Sequence, residues 1–139
     1  MRVLVDTNVV MDALEGQAPF FDASNQVLKI CALKQVEGYL AAHSITNLFY
    51  LFRKRYSNDE CRDILLSIFD IFQIEQIDTR KLKTALENRA FKDFEDCLQM
   101  ECAKTIFADM IVTRDRRFTL DSEIKCVTPI EFCEIFQQM

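Results

Sequence analysis

Val3-Leu4-Val5-Asp6-Thr7-Asn8-Val9-Val10 is the stretch that decides the fold. Val3 to Val5 is an apolar run short enough to be a strand buried on both faces, as strands of parallel sheets are. Asp6 then falls at the carboxyl end of that strand. After the polar pair Thr7 and Asn8, the spacing of Val9, Val10, Ala13 and Leu14 suits a short helix, which Gly16 and Pro19 bring to an end.

The same alternation continues outward. Phe20, Phe21, Ala23, Val27, Leu28, Ile30, Cys31 and Leu33 predict a helix that stops before Gly38, and Tyr39 to Ala42 a second strand. A helix from Ser44 or Ile45 to about Arg55 follows, closed by the basic run Arg53-Lys54-Arg55, as the helix dipole favours. Ser57 and Glu60 have capping-box spacing and open the next helix. A strand is expected around Ile71 to Ile74, and a helix from Arg80 to Ala90 capped by Asp78 or Thr79. Phe91 to Asp96 leads into another helix, and Met110-Ile111-Val112 is the fourth strand candidate. Thr113 to Arg117 reads as a polar turn and Ile124 to Val127 as the last strand. Thr128, Pro129 and Glu131 then supply the N-cap, N1 proline and N3 acid of a terminal helix. Strands and helices in this order predict an α/β fold, a mostly parallel sheet with helices on both faces.

The composition agrees with one domain over residues 1–139. Half the residues are hydrophobic, 12 of them Phe, and only two Gly and two Pro occur, so a continuous core can form and no linker stands out. Asp6 interrupts the first apolar run too early for a signal peptide or membrane span, so a cytoplasmic protein is expected. The six cysteines contain no C-x-x-C pair and His43 is the only histidine, which argues against a zinc site and for reduced core cysteines. A net charge of −5 disfavours a broad basic nucleic-acid surface. It does not disfavour a metal-dependent nuclease, whose central carboxylates are offset by bound cations.

Ligands of parallel α/β sheets gather beyond the carboxyl ends of the strands. The polar residues there are Asp6, Thr7 and Asn8, then His43, Ser44 and Thr46, then Thr113, Arg114 and Asp115. Asp6, Asp96 and Asp115 are suitable oxygen donors for Mg²⁺ or Mn²⁺. If they lie together without metal, mutual repulsion raises at least one carboxylate pKa, and metal binding weakens as pH falls. Each acid also has an ordinary structural explanation. Asp6 can accept backbone hydrogen bonds at the strand-to-helix turn, while Asp93, Glu95 and Asp96 suit a helix start, where negative charge is favoured. Asp93 and Asp96, three apart, share a helix side, and Glu95 is turned about 100° from Asp96 toward solvent. Asp115 is equally a surface acid in a charged turn. Arg114, Arg116 and Arg117 either meet RNA phosphates or form a solvated basic turn. His43 reads as a structural polar group or a support behind the ligands rather than as a metal ligand. No Ser-His-Asp or Cys-His arrangement, Walker loop or G-x-G-x-x-G sequence competes.

Taken together, Val-Leu-Val-Asp-Thr-Asn-Val-Val-Met-Asp at 3–12, Asp-Phe-Glu-Asp at 93–96, Ile-Val-Thr-Arg-Asp at 111–115 with Phe118, and Pro129-Ile-Glu-Phe resemble the PIN-domain ribonuclease family, including its VapC-like toxins. The resemblance spans nearly the whole chain in order. It implies a three-layer α/β/α fold, Mg²⁺ or Mn²⁺ dependence and RNA cleavage. It matches Asp6, Asp96 and Asp115 to acidic catalytic and metal positions, with Asn8 and Thr113 as polar support, while Asp93 on the same helix side as Asp96 either caps the helix or adds a more distant metal contact. It also implies a homodimer and, in the toxin branch, an antitoxin over the acidic pocket. One departure stands out. Many members carry a glutamate in the helix after the second strand, where this chain has Ser44-Ile45-Thr46-Asn47. An Asn47 amide can offer a neutral oxygen but no charge.

These readings give a metal-dependent endoribonuclease as the leading expectation. The alternative is a catalytically weak PIN-fold module that binds metal, RNA or protein, an option motivated by Asn47 and the net charge. A phosphoacceptor receiver shares the architecture but would need an acidic pair after the first strand and a Lys after the last, and neither is present.

Overall fold

The computed structural model describes residues 1–16 and 18–139. Its five strands are β1 (Arg2–Val5), β2 (Glu37–Ala41), β3 (Gln73–Glu75), β4 (Met110–Val112) and β5 (Cys126–Val127). They form one parallel sheet in the order β3-β2-β1-β4-β5. The helices are α1 (Thr7–Glu15), α2 (Phe21–Ala32), α3 (Ala42–Phe52), α4 (Asn58–Ile68), α5 (Thr79–Glu87), α6 (Phe94–Thr105), α7 (Arg116–Asp121) and α8 (Pro129–Gln137).

Strand side chains alternate between two cores because successive Cβ atoms point to opposite faces. Val3 and Val5 of β1 join Met110 and Val112 of β4 in a core closed by α1, α2, α3, α4 and α8. Leu4 and Ile111 face the other way, into a core closed by α5, α6 and α7. Both faces are covered, which is why the strands read as unbroken apolar runs. The three-layer α/β/α architecture expected from the sequence is therefore present. Between β1 and β3 the chain steps in one direction with its helices on one face. It then reverses to β4 and β5 with α5, α6 and α7 on the other, as right-handed crossovers require. Gly38 has no room for a side chain: a Cβ there would lie 2.6 Å from Cys31 Sγ and 3.0 Å from Phe72 Cδ1.

Local signals placed most boundaries. Ser57 and Thr128 both complete capping boxes, with Glu60 and Glu131. Other boundaries moved. α3 begins at Ala42, directly from the strand and with Ala41 as N-cap, so no turn residue marks the junction. It ends at Phe52, which leaves Arg53, Lys54 and Arg55 beyond its last turn. α5 stops at Glu87 rather than Ala90. The polar turn expected over Thr113 to Arg117 is in part a helix. Asp115 caps α7, and Phe118 is the buried residue that holds that single short helix to the sheet. All six cysteines are free, and Cys31, Cys61, Cys97 and Cys102 are buried. Burial pushes the Cys31 and Cys102 thiols up to about 12, so both behave as inert core groups. Among the described residues no helix is long and apolar enough to cross a membrane.

Candidate metal and nucleic-acid site

β1 and β4 are neighbours in the sheet although their helical connections leave in opposite directions, so the crevice beyond their carboxyl ends is the topological switch point. Val5 pairs with Val112 in register. The next residues, Asp6 and Thr113, therefore emerge side by side. Thr113 is 1% exposed, and its Oγ1 donates to Asp6 Oδ2 at 2.7 Å while accepting from the Asp115 backbone N–H at 3.0 Å.

Asp6 occupies the N-cap position of α1, yet its side chain makes no capping hydrogen bond. Three side chains hold its two oxygens: Thr113 and Asn8 Nδ2 on Oδ2, the latter at 3.0 Å, and Gln99 Nε2 on Oδ1 at 2.8 Å. Burial raises the Asp6 pKa, opposed by hydrogen bonds from Thr113, Gln99 and the Thr7 backbone. Asp93 and Asp115 do the ordinary work that Asp6 does not. Asp93 caps α6 by accepting from Asp96 N–H at 2.9 Å, and Asp115 Oδ1 caps α7 by accepting from Arg117 N–H at 2.9 Å.

Asp96 sits in the first turn of α6 and is half-buried. Its pKa is raised to about 7, first by burial and then by repulsion from Asp6, Asp93, Asp115 and Glu95. All four carboxylates thus act on one group, although the sequence scatters them over more than a hundred positions. Glu95 is exposed but not idle. Its Oε2 accepts from Asn47 Nδ2 at 3.3 Å, and its backbone carbonyl meets His43 Nε2 at 3.1 Å. His43 is accordingly a bracket between α3 and α6. Burial lowers its pKa, with the Glu95 charge opposing.

Beside the acids lies a cleft of about 470 Å³ lined in part by Asn8, Asp12, Asn47, Tyr50, Glu95, Gln99 and Arg114. Arg114 is committed to Asp12, which it grips with Nε at 2.6 Å and Nη2 at 3.1 Å, and it lies 4.3 Å over the Phe20 ring. Arg116 and Arg117 are exposed on α7 and form no ion pair among the described residues.

Three participants were not singled out from sequence. Gln99 is a lone polar side chain in the buried run Cys97, Leu98, Gln99, Met100. Asp12 follows Val9 by three on the buried face of α1. An acid or amide on a face otherwise apolar was the available signal in both cases. Glu95 was assigned to solvent from helical angle alone, and its reach across to α3 depends on how the two helices pack.

The donors fit a hard cation in chemistry, being oxygens throughout. Among the described residues no three His, Cys, Asp or Glu side chains are placed to ligate one ion directly. The fit is instead to an ion that keeps most of its water, as Mg²⁺ does with one or two carboxylates. Asn8 Oδ1 and Gln99 Oε1, both beside Asp6, are buried without a hydrogen-bond partner among the described residues, as acceptors awaiting such water would be.

Comparison with known proteins bears on the family and the fold. Ribonuclease VapC1 of Aquifex aeolicus (strain VF5) is 27% identical over 136 residues, which cover 96% of this chain and 94% of that protein. The fold is shared with the crystal structure of FitAcB from Neisseria gonorrhoeae, at a TM-score of 0.69 and 20% identity over 92% of this chain and 98% of that one. It is shared too with VapBC2 from Rickettsia felis bound to a DNA fragment from their promoter, at a TM-score of 0.67 and 18% identity over 92% and 98%. The PIN domain family model matches residues 2–117, and the chain belongs to the PIN domain family.

Proposed function

We propose that this protein is a metal-dependent endoribonuclease, the toxin of a toxin–antitoxin pair acting in the cytoplasm. The observation that carries the reading is Asp6: a buried carboxylate at the switch point, clasped by three side chains, unused for capping, and close enough to Asp96 to raise its pKa. A carboxylate kept in that state has a task other than folding. The relation to a ribonuclease over almost its full length supports RNA as substrate, and the fold shared with VapBC2 supports an antitoxin partner.

Asp6 and Asp96, with Asp115 beside them, would hold Mg²⁺ or Mn²⁺. Such an ion, when bound, makes a coordinated water more acidic and offsets phosphate charge. The protein's own groups do the rest. Thr113, Asn8 and Gln99 fix the Asp6 carboxylate, and the neighbouring acids together with burial hold the Asp96 pKa up in the metal-free site. Arg114 is braced by Asp12 through Nε and Nη2, which leaves Nη1 for a phosphate oxygen. Arg116 and Arg117 extend that basic edge. The partly apolar groove of Ile45 and Phe49 on α3, Leu65 and Leu66 on α4 and Phe69 just after it supports contact with a second copy or with the antitoxin.

The test is incubation of the purified chain with single-stranded and structured RNAs in Mg²⁺ or Mn²⁺. Cleavage should require the metal and be lost in the Asp6→Asn, Asp96→Asn double variant. Equal cleavage by a correctly folded double variant would refute the mechanism. Metal uptake without cleavage of any RNA would favour the noncatalytic PIN-fold module.

A further inference from the structure

Gln99 stands in the middle of α6 with 3% of its surface exposed, between Leu98 and Met100. Its Nε2 donates to Asp6 Oδ1 at 2.8 Å, but its Oε1, equally buried, has no partner among the described residues. Turning the amide over would not help, because Oε1 would then face a carboxylate oxygen, acceptor against acceptor. Asn8 repeats the pattern on the other oxygen: Nδ2 donates to Asp6 Oδ2 while Oδ1 is left unpartnered. Two amides thus clasp one carboxylate by their nitrogens, and each has an oxygen short of a donor. Both residues line the cleft, and a donor entering it would have to press in to reach these shielded oxygens. Buried acceptors are otherwise almost always satisfied.

We propose that Gln99 is a positioning residue with two tasks: Nε2 fixes Asp6, and Oε1 accepts a hydrogen bond from a water carried by the divalent cation at Asp6. The inference rests on the metal-dependent reading above. A hydrated ion presents O–H donors outward in all directions, and outer partners of this kind orient the ligands they touch.

The experiment is a titration with Mn²⁺ alone at about pH 8, above the Asp96 value, with free ion followed by electron paramagnetic resonance. Native protein is compared with Asp6→Asn, Gln99→Met and Gln99→Glu, each checked for native circular dichroism. Asp6→Asn should lose binding, and Gln99→Met should weaken it by about 10–100-fold. Gln99→Glu gives up the donor to Asp6 but keeps an oxygen facing the ion, so it should bind at least as tightly as native. Gln99→Glu binding more weakly than Gln99→Met, or Gln99→Met binding like native while Asp6→Asn does not, overturns the inference and leaves the functional reading standing. Native protein that takes up no Mn²⁺, or Asp6→Asn that binds like native, overturns both. If Gln99→Met does not fold, Gln99→Glu against native still decides, weaker binding overturning the inference.

Discussion

The Thr113 hydroxyl donates to the buried carboxylate of Asp6 at 2.7 Å, joining the carboxyl ends of the central strand β1 and its neighbour β4. The same hydroxyl accepts from the Asp115 backbone N–H, so one oxygen ties the acid after β1 to the acid after β4. The relationship is local to the sheet and needs no flexible side chain, because register alone sets the two residues side by side.

Replacing Thr113 by Val keeps the shape and removes that donor. An ionised Asp6 would then lose one of its three side-chain hydrogen bonds in a buried setting, at about 1–3 kcal/mol. Urea unfolding at neutral pH should report a loss of that order, and RNA cleavage should fall with it. Thr113→Ser, which restores the hydroxyl, should recover most of both.

Arg114 and Asp12 offer a separable test. Asp12 is 1% exposed and its two oxygens are matched by the guanidinium. Arg114→Ala leaves that carboxylate buried and unpaired; because the guanidinium is itself 36% exposed, the loss should be about 1–3 kcal/mol. Arg114→Lys should rescue little, since an ammonium cannot reproduce the forked contact. A double-mutant cycle with Asp12→Ala in chemical denaturation measures the coupling, and additive losses would show that the pair contributes nothing of its own.

The pH behaviour follows from Asp96, which moves from an ordinary 3.8 to about 7 in the folded protein. Between those values the folded chain keeps a proton that the unfolded chain has released. Stability of the metal-free protein therefore falls as pH rises through this window and levels above it. The raised Asp6 pKa acts in the same sense. Metal-free protein should melt at a higher temperature at about pH 5 than at about pH 8, and Asp96→Asn should shrink that difference. Divalent-ion affinity should run the opposite way, increasing with pH up to the Asp96 value, because the ion competes with the proton for the same oxygens.

Much of this was legible in the sequence, for identifiable reasons. Strand ends are fixed by short apolar runs, so Asp6 and Thr113 could be placed at the sheet's ligand-binding edge from Val3 to Val5 and Ile111 to Val112 alone. Capping signals are equally local, and Ser57 and Thr128 behave as their spacing requires. What could not be read was the approach of α6 to α1 and α3. Gln99 reaches Asp6 across 93 positions and Asn47 reaches Glu95 across 48, and no periodicity within one helix encodes which neighbour it will meet. Asp115 showed a different limit. One side chain both caps α7 and contributes charge to the site, so the structural and functional explanations that the sequence set against each other are compatible.

Asn47 supplies the last prediction. Its amide donates to Glu95 Oε2 at 3.3 Å, a neutral partner on α3 answering a charge on α6 at the cleft wall. Asn47→Glu would remove the donor and set two carboxylates face to face near Asp96, whose pKa Glu95 already raises. Without metal the variant should melt below the native protein, and the deficit should grow with pH as the acids ionise. A cation within reach of both groups reverses that logic, since repulsion in the free site becomes attraction in the bound one. Thermal denaturation with and without Mn²⁺ should therefore give a larger metal-induced increase in melting temperature for Asn47→Glu than for native protein. An equal increase in both would mean that Asn47 and Glu95 face each other outside the reach of the ion, and that the charge on α6 serves the helix junction alone.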